Sequence, residues 1–389
     1  MRRDKIYEDL KLSKEFSVDD WKALIKLKLG KYFISDTILE KNKDLLKTEI
    51  INYIRLSEKP EYLRLFEWTF DFYKECLNTN KELAIKIFAE SLNDISRTDS
   101  KWMTNVLTQP DIATLSERDK ITSYFKIIDE TLEGVFKPRF KLLDKLVKLK
   151  LNQTVVDNSD SDFGNLIRNF PNQFKKDVNL FLEDPLYSVS TNQWRNIAAH
   201  KSYILSKDNI AVKYGRPNIR TQTISIEAFY RIVYWTQDIY RTIRLAQILT
   251  YLNYMEEIVA ELGEGVNFDI RFESSLLHII HNLQIVGFEF DSTEEQSEVF
   301  CLNVRGKIGH DVESSLIHAS QCLDQLSSAI YDDEFVRDNF KSTQICIVDE
   351  NQNKLGSATI AIEIAMKKVK DEINLNEYLD KMIFEIKAT

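Results

Sequence analysis

Residues 190–204 read STNQWRNIAAHKSYI, and this stretch decides how the chain is understood. It holds an Arg-Asn pair, two alanines and the only histidine before residue 278. Ser190 and Gln193 have capping-box spacing, which predicts a helix that begins near Thr191 and runs through the stretch. On helical steps Trp194, Ile197, Ala198 and Leu205 share one side, the expected core face. Arg195, Asn196, Ala199, His200 and Tyr203 fan across the other. Arg195 and His200 then flank Ala199, about 140° apart, while Asn196 and His200 are i, i+4 neighbours. A methyl floor between a guanidinium and an imidazole suits a phosphate. Arg offers a planar fork of donors, and His can give or take a proton near neutral pH. The same two residues also occur five apart on ordinary solvated helices, so the reading depends on what surrounds them.

Working outward, the flanks are helical. SERDKITSYFKIIDETLEGVF leads to Pro138 and RFKLLDKLVKLK, followed by a polar linker, NQTVVDNSDSD. After the motif, NIAVKYGRPNIRTQTISI predicts a small hairpin around Tyr214-Gly215. EAFYRIVYWTQDIYRTIRLAQILTYLNYMEEIVAEL then predicts one long helix stopped at Gly263. Residues 1 to about 115 also read as helices. SVDDWKALIKLKLGKYF has a capping serine at Ser17 and apolar residues at helical spacing. PEYLRLFEWTFDFYKECL starts at Pro60, a favoured first-turn residue. After Gly265 the pattern changes. VGFEF, SEVFCLNVR and MIFEIKA have strand character. TQICIVDENQNKLGSATIAIEI reads as a β-hairpin, and ESSLIHASQCLDQLSSAI as an amphipathic helix. The expected fold class is mainly α: a helical region (1–115), a helical bundle carrying the motif (116–263) and a small α+β domain (264–389).

Composition excludes several classes. With 389 residues, two or three domains are the expectation. No apolar run approaches a membrane span, and MRRDKIYEDLKLSKEF lacks the apolar core of a secretory leader. Cys76, Cys301, Cys322 and Cys346 are scattered, as buried thiols of a reducing compartment would be. These features predict a cytoplasmic protein without a membrane partner. The net charge of −9 argues against a general nucleic-acid binder. Residues 137–220, however, carry 15 Lys and Arg against 8 Asp and Glu, a net of +7 that leaves −16 for the rest. Such a zone is either an electrostatic footprint for nucleic acid or a fluctuation on solvated faces.

Taken with its flanks, RNIAAH resembles the R-N-x-x-x-H form of the R-x4–6-H signature of HEPN-domain ribonucleases. The resemblance spans residues 117–262: paired helices before the motif, a long helix after it. It implies a metal-independent endoribonuclease that needs no cofactor, with RNA as substrate and two motif helices paired across a homodimer or higher even oligomer. It implies catalytic roles for Arg195 and His200, with Asn196 orienting them or the phosphate. Lys201 and Tyr203, beside the motif, are the candidate substrate contacts. Family members commonly act as toxins or antiviral effectors, of the abortive-infection type, under a regulatory protein or phage trigger. Others have lost catalysis and serve as scaffolds that bind RNA, a nucleotide or a protein.

Two other clusters compete. RGKIGH, Arg305 to His310, repeats the R-x4-H spacing, but Gly306 and Gly309 predict a strand end, a turn and a helix start near Asp311. That turn, with Lys307, is an anion-site candidate. His278 and His281 are three apart on a predicted helix, a spacing that can hold a metal, yet no acidic or cysteine partner stands at metal-site spacing. No P-loop, dinucleotide fingerprint, H-E-x-x-H or G-x-S-x-G is present.

Overall fold

The computed structural model describes residues 18–155, 162–215, 217–262, 271–306 and 310–387, apart from the side chains of 18, 19, 44, 45, 47, 104, 106–111, 113, 281 and 285. The expected Ser17 cap, most of the 152–162 linker and the Gly263 stop lie outside the described residues. The chain is mainly helical, with a sheet-containing region towards the C-terminus. It divides into two compact units, one of residues 1–31, 35–51 and 269–389, the other of residues 32–34 and 52–268. The expected 115/116 boundary lies inside the second unit, and residues 1–31 and 35–51 belong with the C-terminal residues.

The second unit is a helical assembly around the helix Ile226–Asn253. This helix is capped by Ser225, whose hydroxyl accepts from the Ala228 amide at 3.1 Å. It is buried on almost every side, as a central bundle helix must be. The single long helix expected here is instead two: Tyr254 leaves helical geometry, and a second helix covers Met255–Leu262. No proline or glycine marks the break, which is why periodicity passed over it. Pro60 does open a helix, Pro60–Thr79.

Helix Glu117–Asp129 continues through a π-helical turn, Glu130–Phe136, into Lys137–Lys150. The Lys137 amide bonds to the Leu132 carbonyl, five residues back. Pro138 has no amide to give to the Gly134 carbonyl. The widened turn just before it carries the chain past the proline without ending the rod.

Behind the rod sits a polar core. Arg139 is fully buried and donates to Gln247 at 2.8 Å and to Asp99 at 2.7 Å. Tyr240 and Arg244 reach the same Asp99 oxygen, at 2.9 and 3.2 Å. Burial alone would raise the Asp99 pKa. The guanidinium groups of Arg139 and Arg244 and the Tyr240 hydroxyl outweigh it and hold the carboxyl at about 2. Here some of the basic zone is spent inside the fold. Lys137, Lys148 and Lys150 also pair, with Glu133, Asp144 and Glu75.

The first unit contains a five-stranded sheet in the order β4-β5-β6-β7-β8, with β4 Glu289–Gln296, β5 Val299–Arg305, β6 Ser342–Val348, β7 Lys354–Ala361 and β8 Ile383–Ile386. Every pairing is antiparallel except β5–β6. That parallel pair needs a crossover, supplied by helices Val312–Ser320 and Leu323–Asp332. The expected single helix over 313–330 is thus two. Phe288, Leu302, Leu316, Leu323, Ile330 and Ile345 are fully buried in one core. The β6–β7 hairpin closes on Asp349, whose carboxylate accepts from the amides of Asn351 and Asn353, the turn chemistry its polar sequence suggests.

Candidate active site

The motif helix spans Thr191–Ala199 and stops there. The expectation of a helix through Ile204 is corrected at three points. First, the capping box is absent: Ser190 makes no side-chain cap, and Gln193 Oε1 instead accepts from the Gly215 amide at 3.0 Å. Second, the helix closes in a Schellman turn. The Ser202 amide donates to Ile197 O at 2.9 Å and the Lys201 amide to Ala198 O at 3.2 Å, with Lys201 left-handed at φ 51°. Third, the chain then enters strand β1, Tyr203–Leu205, which pairs with β2, Asn209–Tyr214; β2 pairs with β3, Arg220–Ser225. The expected hairpin thus gains a third strand drawn from the supposed helix. Periodicity could not see this, because the stop is made by a lysine in a conformation that glycine usually supplies.

What fixes the start of the helix is Asp184, a residue the sequence reading did not single out. Its buried carboxylate accepts from the amides of Leu186, Tyr187 and Val189 at 2.7–2.9 Å, and from Trp194 Nε1 at 2.8 Å. Thr191 Oγ1 adds a bond to Phe181 O at 2.7 Å. The available signal was Asp184-Pro185, an aspartate-proline turn just before the helix. With Trp194, Ile197 and Ala198 buried, the helix presents Arg195 and Asn196 half-buried and His200 exposed.

Arg195 does not stand free. Its Nε lies 3.1 Å from Glu133 Oε2 and 3.5 Å from Asp129 Oδ1, and its Nη1 donates to Asn196 Oδ1 at 3.2 Å. The carboxylate contacts are close enough for ion pairs but poorly aligned for hydrogen bonds, and both Nε and Asp129 Oδ1 lack a directional partner. Glu133 is shared with Lys137, at 2.6 Å. Burial pushes the Asp129 carboxyl above its ordinary value and Glu133 pushes it further, while Arg195 and His200 pull it back. Asp129 is therefore the group at which the influence of both motif residues meets. Burial and Asp129 also raise neighbouring Glu130. The acids at 129 and 133 face the motif helix from the junction of the α and π segments, the kind of irregular turn that recurs at functional sites. In the sequence their signal was only an i, i+4 acidic pair in IIDETLEG.

The remaining candidates scatter. Lys201 is exposed at the turn. Tyr203 lies flat on buried Phe125, centroids 3.8 Å apart and rings within 8°, so its ring is used in packing. Arg305 ends β5 and pairs with Asp291 at 2.8 Å; His310 is exposed just before the Asp311 cap of the next helix, and 307–309 lie outside the described residues. The two residues of RGKIGH therefore share no helix. His278 Nδ1 sits 3.4 Å from Thr48 Oγ1, and the His281 side chain is outside the described residues. Among the described residues no three His, Cys, Asp or Glu side chains gather as a metal set, and no helix is long and apolar enough to cross a membrane. No protein-family model, curated protein or solved structure matches the chain.

Proposed function

We propose that this chain is a metal-independent endoribonuclease of the HEPN type, with Arg195, Asn196 and His200 as its catalytic set. The observation that supports the reading most is the ion pair of Arg195 with Asp129, a half-buried carboxylate that also feels the charge of His200. In the proposed reaction the RNA 2′-oxygen attacks the adjacent phosphorus and the bond to the 5′-oxygen breaks. The products are a 2′,3′-cyclic phosphate and a 5′-hydroxyl. His200 takes the 2′ proton or gives one to the leaving oxygen, and Asp129 steadies the charged ring. Arg195, weakly aligned on its carboxylates, turns its donors to the phosphorane. One histidine cannot serve both oxygens at once, so a homodimer with two motif helices supplies base and acid. A cytoplasmic antiviral effector, toxic when triggered, is the biological setting that the resemblance suggests. The test is the products: cleavage should persist in excess chelator and leave 2′,3′-cyclic ends. A strict magnesium requirement with 5′-phosphate ends points to different chemistry.

A second reading has its own support. Arg195 is already held by two acids, and several cations of the basic zone are paired within the fold. Both features suit a non-catalytic scaffold that binds RNA, a nucleotide or a protein. Binding of RNA without turnover would favour it.

A further inference from the structure

The second unit holds a cavity of about 420 Å³ between helix Pro60–Thr79 and the segment around residues 176–180. That volume falls in the range of small-molecule sites, about 300–1,000 Å³. Trp68 lines it, half-buried, its ring stacked on Phe72 (5.0 Å, 11°) and braced edgewise by Phe174 (6.0 Å). Arg64 and Lys176 stand at the same cavity, both exposed, and neither makes an ion pair among the described residues. Glu61, Asp177 and Asn179 complete the polar lining.

We propose that this cavity binds a guanine nucleotide. A rigidly held indole offers a stacking surface for a base. Two unpaired cations offer a seat for phosphate. A carboxylate only accepts hydrogen bonds. It therefore selects a base edge that presents donors side by side, and guanine, with N1–H and the N2 amino group, does so where adenine pairs a donor with an acceptor. Asp177 is assigned to that edge, Asn179 to the remaining polar atoms, and Arg64 with Lys176 to the phosphate. The guanosine phosphate is either a free nucleotide or a residue of an RNA strand. The site shares no residue with the Arg195–His200 motif, and its assignment does not rest on catalysis there.

The experiment is calorimetric titration of the full chain, carrying His200→Ala so that RNA stays intact. The probes are GMP, AMP, guanosine, inorganic phosphate and a uridine hexamer with one internal guanosine. GMP should bind saturably, about tenfold or more tighter than AMP. Arg64→Ala/Lys176→Ala should weaken GMP by about tenfold and leave guanosine within about twofold. Asp177→Asn should bring GMP and AMP within about threefold. Tight hexamer binding that GMP displaces identifies an RNA subsite; GMP binding without it identifies a free nucleotide, and either supports the assignment. Absence of saturable GMP binding, equal binding of phosphate alone, or GMP affinity untouched by both variants overturns it.

Discussion

Lys201 holds a backbone conformation that costs an L-residue roughly 1–2 kcal/mol, because the Schellman turn after Ala199 requires it. Lys201→Gly should therefore raise stability by about 1 kcal/mol, read as a higher midpoint in thermal unfolding; a lower midpoint would mean that the lysine side chain makes a compensating contact. Asp129 sits under the motif with a carboxyl raised by burial. As pH falls through that raised value it becomes neutral, and its ion pair with Arg195 is lost. Cleavage should fall on the acid side, and Asp129→Asn should lower the rate by about tenfold or more and flatten that limb; an unchanged pH profile removes Asp129 from the reaction. The motif itself was legible because Arg, Asn and His are rare in such company and close in sequence. Asp129, Glu133 and Asp184 were not, since each gains its meaning from a partner some 10 to 66 positions away.

Among the elements, the buried Arg139 ties the rod to the central helix through Asp99, Gln247 and Tyr240. Removing the carboxylate in Asp99→Ala leaves a guanidinium without its counter-charge. The cost should be about 2–3 kcal/mol, at or below the range for a buried pair because the Asp99 side chain is 38 % exposed. The folded pKa of about 2 lies below the unfolded value near ~3.9. The stabilisation is therefore present above pH ~4 and is lost as pH falls towards 2. Denaturant midpoints from pH 6 to pH 2 should converge for wild type and variant; a constant gap would assign the loss to packing. Most helices were readable from periodicity, whereas the C-terminal strands were readable from their β-branched and aromatic runs, since burial there does not alternate: β5 is buried along most of its length and β8 is exposed throughout. Three features were not: the stop at Ala199, the break at Tyr254 and the π turn before Pro138. The stop and the break are each set by backbone geometry at one or two residues, with no glycine there to announce them, and the π turn is a shift in hydrogen-bond register across Glu130–Phe136 that side-chain periodicity does not show.

For the whole molecule the claim is that two copies build one site. Mixed Arg195→Ala and His200→Ala chains should show activity that departs from the sum of two independent sites. Full activity from a chain shown by light scattering to be monomeric at the assay concentration contradicts the shared site. The central claim of catalysis is tested most directly by one comparison: purified wild-type chain and His200→Ala, incubated with RNA in excess chelator, with products resolved and their ends identified. The exposed position of His200 leaves the fold of the variant intact by circular dichroism. The account predicts 2′,3′-cyclic ends from wild type and loss of cleavage by about 100-fold or more in the variant; equal cleavage by the two proteins contradicts it.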